Sequence, residues 1–294
     1  MSAQEPERGQ RRHEGFRPVW AGKRRQALWL AGVAFASLAS GCPVNAADHC
    51  EDIAQAVAAL KEGDRFQATT QLFAAARYGC EDEARTLLDR GAAIDARDRE
   101  GATALARAAK AGKARLVALF LERGAAVNAR SVDGSTPLFY AAEADREEIV
   151  AMLLDRGADP NLSGRTGLTP LDAAAYNNSE DIAKLLILHG ADVDALDSDG
   201  KAAIVYAAGR GNASIVAQLL DAGVDVNRGY AHSLTALMWA AGHDASAGME
   251  DVDATITLLL KRGAKVDLRD DRNKTAVDIA RSLGYDRVAD LLVR

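Results

Sequence analysis

The chain has 294 residues, with 36 Lys and Arg against 42 Asp and Glu, and its formal net charge at pH 7 is −6. This acidic balance argues against general binding to nucleic acids or anionic membranes through net charge, since both partners are polyanions. It leaves room for a local basic patch on a folded surface.

The N-terminal segment has the organisation of an export signal. A basic triplet at 23–25 precedes an apolar run at 27–39, and small residues lead to an A-x-A-type cleavage site at 44–46. The apolar run is shorter than the about 20 residues that a membrane-spanning helix needs. We therefore expect a signal peptide over residues 1–46, with an uncleaved N-terminal anchor as the alternative. Its removal would leave 29 Lys and Arg against 39 Asp and Glu, a net charge of −10.

Two variants of this signal also fit the sequence. The segment 38–42 resembles a bacterial lipobox, in which Cys42 would become an acylated first residue, although Ala39 stands where leucine is usual. The arginine pair at 24–25 resembles a twin-arginine signal, and the residues after it match that motif in part. Each variant predicts a protein that is periplasmic or exported, with a lipid anchor in the lipobox variant.

Residues 47–64 are predicted to form an N-terminal capping helix. Ile53, Val57 and Leu60 fall on one face of the stretch 51–60, and Gly63 would end the helix. A half-repeat of this kind would cover the exposed end of the fold that follows.

The three cysteines bear on the same segment. If Cys42 is removed or acylated, Cys50 and Cys80 remain, and in an oxidising compartment two remaining cysteines favour a disulfide bond. Two buried free thiols are the alternative. A metal site made of His49 and both cysteines lacks the paired spacing of zinc ligands, so we expect no metal there.

From residue 65 onward the sequence repeats with a period of 33 residues. One ladder consists of Thr70, Thr103, Thr136, Thr169, Ala202 and Thr235, and a second ladder in register consists of Gly91, Gly124, Gly157, Gly190 and Gly223. A fixed period of this length is typical of a solenoid of stacked supersecondary units. Such folds present a long surface to a partner and rarely house a catalytic pocket.

One unit, residues 133–161, shows the local structure that each repeat predicts. Gly134 indicates a turn, Thr136 is a candidate N-cap for a short helix, and Asp145 stands where other repeats have Gly or Asn. These residue types tolerate a left-handed backbone, so we expect the helix to stop there. A second helix follows and ends at Gly157. Its apolar stripe is predicted to be Ile149, Val150, Leu153 and Leu154.

These motifs resemble those of the ankyrin-repeat family. The matching segments are GSTPL at 134–138 with the alanines 141–142, LLDRGA at 153–158, TPL at 169–171, TAL at 235–237 and TAVDIA at 275–280. The resemblance covers residues 65–294 and implies an all-α solenoid of six full repeats and a partial C-terminal cap. It is specific for the fold, because the shared residues of such families are scaffold.

The chain also departs from the family pattern. The histidine that usually follows Thr-Pro-Leu is absent, so we expect some repeats to be held together less tightly. The sixth repeat, which starts at Thr235, is seven residues longer than the others, and the insertion lies within 242–251.

The resemblance implies that a protein partner binds a concave groove made by the turn tips and the ends of the first helices. The residues at the family's variable contact positions are Arg97, Arg99, Arg130, Arg165, Leu168, Tyr176, Asn177, Leu196, Arg210, Tyr230 and His232. The same positions also include Asp133, Lys201, Arg269 and Arg272 on the tips and Lys110, Glu143 and His243 at the helix ends, so the full set has seven Arg and two Lys against one Asp and one Glu. Arg and Tyr are enriched in interface hot spots, so a basic groove in an acidic chain predicts a protein-binding site.

The function expected from these features is protein recognition by a monomer outside the cytoplasm of a bacterium. An exported effector that binds a host protein is one alternative. A metal-dependent enzyme that uses His232, His243 and acidic residues of the insertion is another. The sequence shows no catalytic triad signature, phosphate loop or HExxH helix. We therefore expect no enzymatic activity, no cofactor and no metal.

Overall fold

A computed structural model describes residues 46–243 and 247–293, which belong to one compact unit. Within these residues the regular structure is helical, with fifteen α-helices, two short 3₁₀ turns and no β-strand. The predicted signal peptide, including Cys42, lies outside the described residues except for Ala46. The all-α fold class that the sequence predicts is confirmed.

The helices form a regular succession of pairs. They are α1 (Ala46–Ala58), α2 (Arg65–Tyr78), α3 (Glu81–Asp89), α4 (Ala104–Ala111), α5 (Ala114–Glu122), α6 (Pro137–Glu143), α7 (Glu147–Asp155), α8 (Pro170–Asn177), α9 (Glu180–Leu188), α10 (Ala203–Arg210), α11 (Ala213–Asp221), α12 (Ala236–Ala241), α13 (Met249–Lys261), α14 (Ala276–Ser282) and α15 (Asp286–Val293). The even-numbered helices pack side by side as a first-helix layer, and the odd-numbered helices from α3 onward form a second-helix layer. Helix α1 covers α2 and α3.

The core lies between these two layers. Leu153 of α7 is fully buried, and so are its equivalents Phe120, Leu186, Leu219 and Leu259 in the other second helices. The predicted stripe of α7 is buried along its whole length. The repeat register inferred from the sequence is therefore correct.

Local chemistry sets where each first helix begins and ends. The Thr136 side chain accepts the N–H of Phe139, and the other threonines of the ladder from Thr103 to Thr235 cap their helices in the same way. Asp145 and Asn178 both have positive φ, at 57° and 61°. The predicted left-handed stop is thus present in repeats that use no glycine for it.

The first repeat differs from the others. Helix α2 begins at Arg65 with Asp64 as its N-cap, so Thr70 lies inside the helix, where its hydroxyl donates to the Phe66 carbonyl. Thr70 is therefore not the start of a helix, although its ladder position suggested that role. A helical turn replaces the extended turn of later repeats here.

The capping segment is helical from Ala46 to Ala58, so the helix begins before the predicted stretch 51–60. Alanine favours helix, and Asp48 in the first turn suits the N-terminal end of the helix dipole. Cys50 consequently lies within α1. Its Cα atom is 5.4 Å from that of Cys80, inside the range of disulfide bonds, and the two sulfur atoms are at bonding distance.

The sixth-repeat insertion divides between a loop and a helix. Helix α13 has thirteen residues, whereas α11 has nine. Four of the seven added residues therefore lengthen the N-terminal end of α13, and the others lengthen the loop before Met249. Residues 244–246 of that loop lie outside the described residues.

Asparagine side chains tie neighbouring repeats together. The Asn128 side chain accepts the N–H of Asp159 at 2.9 Å and donates to the Gly157 carbonyl at 3.2 Å. Asn161 and Asn227 make the same pair of bonds to their next repeats. These bonds connect neighbouring repeats just after their second helices.

Candidate functional site

Charge is unevenly distributed between the two helical layers. The first helices together carry six Lys and Arg against three Asp and Glu. The second helices carry five Lys and Arg against sixteen Asp and Glu. The first helices therefore carry a small excess of cations, whereas the second helices are strongly acidic.

Arg97 and Arg130 tie adjacent turn tips, the loops that precede each first helix. Arg97 donates to the carbonyls of Gly101 and Arg130. Arg130 in turn donates to the carbonyls of Gly134, at 3.2 Å, and Ser163, at 2.9 Å. Both predicted contact residues are thus engaged in holding the tips together, although their side chains are partly open to solvent.

Other predicted residues are exposed on the tips. Arg99 is exposed. Arg165 is also exposed, with its Nε 3.8 Å from a carboxylate oxygen of Asp133. Leu196 is 49% exposed. His232 Nδ1 lies 3.1 Å from the Asp271 carboxylate. Leu168, by contrast, is half-buried and packs against the core.

Tyr230 is not an exposed contact residue, and its prediction as one is wrong. The side chain is only 7% exposed, and the Arg228 guanidinium lies 5.4 Å from the ring centroid. Burial raises the pKa of Tyr230 to about 12. Tyr230 is the equivalent of Asp197 in the previous repeat, 33 residues earlier. A large apolar ring at this position is more stable when it is buried than when it is exposed to water.

A second set of turn contacts was missed by sequence reasoning. The fourth residue of several first helices bonds to the residue nine positions before it, at the base of the tip. Arg107 Nε donates to Asp98 at 2.6 Å, the Tyr140 hydroxyl to Ser131 at 3.3 Å, and the Tyr206 hydroxyl to Asp197. The recurrence of polar pairs at this spacing is a signal that the sequence contains. These bonds fix the ring positions on the first-helix layer.

Tyr176, Asn177 and Arg210 come together in the middle of the first-helix layer. The Arg210 guanidinium carbon lies 4.7 Å from the centroid of the Tyr176 ring, a cation–π geometry. Asn177 donates to the Glu143 carbonyl at 3.0 Å. The Glu143 carboxylate lies 3.4 Å from Lys110 Nζ. Three predicted contact residues therefore share one surface that spans repeats three to five.

A buried carboxyl group lies beneath this surface. Asp172 is 1% exposed and forms a capping box with Thr169, whose N–H and hydroxyl both donate to it. Burial raises the pKa of Asp172 to about 7 and outweighs the bonds from Thr169, which lower it. The charge of the Asp197 carboxylate raises the pKa further. Asp278 forms the same box at the start of α14, and bonds from Thr275 lower its pKa.

The predicted histidines of the sixth repeat have separate neighbours. His232 contacts Asp271, while His243 is buried and stacks on Tyr285 with ring centroids 4.2 Å apart. Within the described residues, the one group of side chains spaced closely enough to hold a metal ion is Cys50, Cys80 and Glu83, and the two cysteine sulfurs of that group lie at bonding distance from each other.

These features define a helical-repeat protein built to present a surface. The family model described as ankyrin repeats in three copies matches four overlapping stretches, at residues 45–131, 72–164, 109–197 and 171–248. The chain belongs to the ankyrin-repeat family, whose repeats serve as protein–protein interaction modules. A search of curated proteins found no match. Along residues 46–243 and 247–293, none of the helices combines the length and apolarity needed to cross a bilayer.

Proposed function

We propose that this protein is an adaptor that binds a protein partner through its first-helix layer and turn tips. The observation that carries the proposal is the charge difference between the helices of the two layers, because the first helices carry a small excess of cations and the second helices a large excess of acidic residues. Clustered Arg and Tyr side chains in the middle repeats supply groups that dominate binding energies in known interfaces. Opposing acidic groups on a partner would speed association at low salt.

We also propose that it acts in the bacterial periplasm or envelope. The N-terminal segment 1–46 supports export, and the Cys50–Cys80 pair suits an oxidising compartment. Acylation at Cys42 would tether the domain to the membrane surface. An exported effector with a host partner would use the same surface, and release of the protein beyond the envelope would distinguish it.

The test compares a variant of the first-helix surface with a control variant of the second-helix side. The protein is used to retain partners from the native envelope fraction, which are identified by mass spectrometry, purified and titrated. The surface variant replaces Arg99, Arg165, Tyr176 and Arg210 with Ala. We expect it to bind the purified partner at least tenfold more weakly, with helicity and melting nearly unchanged. The control variant replaces Glu122, Arg156 and Lys184 on the second-helix side, and we expect less than a twofold effect. Equal weakening by both variants would contradict the proposal.

A further inference from the structure

The turn tips of repeats two, three and four are bonded to one another. Arg97 donates to the Arg130 carbonyl, and Arg130 donates to the Ser163 carbonyl at 2.9 Å. The backbone N–H of Val132 also donates to the Glu100 carbonyl at 3.0 Å. These bonds join each of the three tips to the next, so their turns form one edge with a fixed backbone.

Val132 lies in the turn of the middle tip and is 83% exposed, more than any other large apolar side chain among the described residues. The side chain is nevertheless held in place. A Cβ atom added to Gly101 would lie 2.8 Å from Val132 Cγ2, so the valine packs closely over that glycine of the neighbouring tip. An apolar group that is both exposed and ordered can leave water on binding with little loss of conformational entropy.

Two arginines flank Val132 at the equivalent positions of the neighbouring tips. Arg99 and Arg165 stand 33 residues before and after it, and both are exposed. In the part of the chain that the structure describes, no acidic side chain pairs with Arg99. Arg165 Nε lies 3.8 Å from Asp133, close to the upper limit for an ion pair. Both guanidinium groups can therefore reach an acidic group of a partner.

The two acidic residues beside this row are already engaged by other groups of the chain. The Glu100 carboxylate pairs with Arg107 at 2.8 Å. The Asp133 carboxylate accepts the Ser131 hydroxyl at 2.6 Å and the Ser135 N–H at 3.1 Å. The charge that the row offers to a partner is therefore positive.

We propose that this row, the tip ridge of Arg99, Val132 and Arg165, binds an extended segment of a protein partner in which one apolar residue stands between two acidic residues. The apolar side chain would cover Val132 and remove its surface from water, and each acid would pair with one arginine. This inference rests on the proposed function of the first-helix layer and tips, and it specifies the partner's chemistry.

The spacing of the tips sets the spacing of the three residues in that segment. Packed helices lie about 8–10 Å apart, and an extended chain rises about 3.3 Å per residue. One step from tip to tip therefore corresponds to about three residues. We expect the two acids about three positions before and about three positions after the apolar residue.

A displayed library of random twelve-residue peptides, selected on the purified protein, tests the tip ridge. We expect enriched peptides to share an apolar residue with Asp or Glu at that spacing on both sides. Fluorescence anisotropy of the most enriched peptide should show at least tenfold weaker binding to Val132→Ser and to the double variant Arg99→Ala, Arg165→Ala. Leu188→Ser is the matched control, because Leu188 is 72% exposed on α9 in the other layer, and it should change binding less than twofold.

Four results would overturn the tip ridge: no enrichment, enrichment of peptides that lack this spacing, unchanged binding to Val132→Ser, or equal weakening by Leu188→Ser. Melting curves establish that the variants fold. The proposed function is judged separately with the purified native partner. If the four-residue surface variant loses that partner while both ridge variants retain it, the ridge is wrong and the surface assignment stands. If none of them loses it, both are wrong.

Discussion

Asp172 is an ionisable side chain enclosed between two repeats, and it should make stability depend on pH. Its pKa is about 7 in the folded chain and about 3.9 in an unfolded one. Between these values the unfolded chain has released the proton that the folded chain keeps. The contribution of Asp172 to the free energy of unfolding therefore falls as pH rises from about 4 to about 7, by up to about 4 kcal/mol, and is constant above.

Urea denaturation of Asp172→Asn between pH 4 and pH 8 measures this contribution. The amide oxygen of that variant can still accept a hydrogen bond from the Thr169 N–H. As pH rises, the free energy of unfolding of Asp172→Asn should therefore increase relative to that of the wild type. Asp278→Asn is the control, because the stability contribution of Asp278 should change with pH in the opposite direction. Because the pKa of Asp278 is lowered on folding, its carboxylate stabilises the folded chain at neutral pH, and that stabilisation is lost in acid. Parallel pH profiles for wild type and Asp172→Asn would exclude the buried carboxyl as the cause.

Leu153 tests the packing between neighbouring second helices. It is fully buried, and truncation leaves a cavity that rigid neighbours fill only in part. Leu153→Ala should lower the free energy of unfolding by about 2–5 kcal/mol, measured by urea denaturation. The exposed Glu122→Ala on α5 should change it by less than about half a kcal/mol. A similarly small effect at Leu153 would mean that the side chain does not occupy the core.

At the scale of single elements, we expect helix α1 to depend on a Cys50–Cys80 bond to the rest of the fold. It buries few apolar side chains, chiefly Ile53 and Val57, and Arg90 donates to the Val57 carbonyl at 2.7 Å. Closing a loop of 30 residues should stabilise by roughly 3 kcal/mol in the chain-entropy model. An end repeat has one neighbour only, so this link matters most there.

Peptide mapping without reductant should recover Cys50 and Cys80 in one linked fragment. The double variant Cys50→Ser, Cys80→Ser should unfold like the reduced wild type and at lower urea than the oxidised protein. Alkylation of both thiols in protein taken directly from its native compartment would refute the bond.

The regular elements were predictable from the sequence because they depend on local chemistry. Thr136 caps a helix and Asn178 stops one through bonds within a few residues, and the period then places Leu153 in the core. The roles of Arg130 and Tyr230 were not predictable, since they depend on what the neighbouring tip presents 33 residues away. Arg130 is exposed but also bonds to the neighbouring tip, whereas Tyr230 is buried.

At the scale of the whole molecule, the proposed export predicts a defined N-terminus. Protein isolated from its native compartment should begin near Ala47 when sequenced, because the A-x-A-type site ends at Ala46. A lipid-modified Cys42 would establish the anchored variant. An intact Met1 in cytosolic protein would contradict export altogether.

The asparagine ties imply that the stack is not equally stiff along its length. Asp194 takes the place of an asparagine between repeats four and five, and its carboxylate pairs with Arg228 at 2.5 Å. At the start of the second helices the same two repeats are joined by the bonds from Asn212 to Ala175 and from Ser214 to Glu180. Beyond the second helices this joint therefore relies on one ion pair, where the joints at Asn128 and Asn161 each have two amide hydrogen bonds. The backbone N–H of Asp225 should therefore exchange its hydrogen faster than those of Asp159 and Asp192, which donate to Asn128 and Asn161.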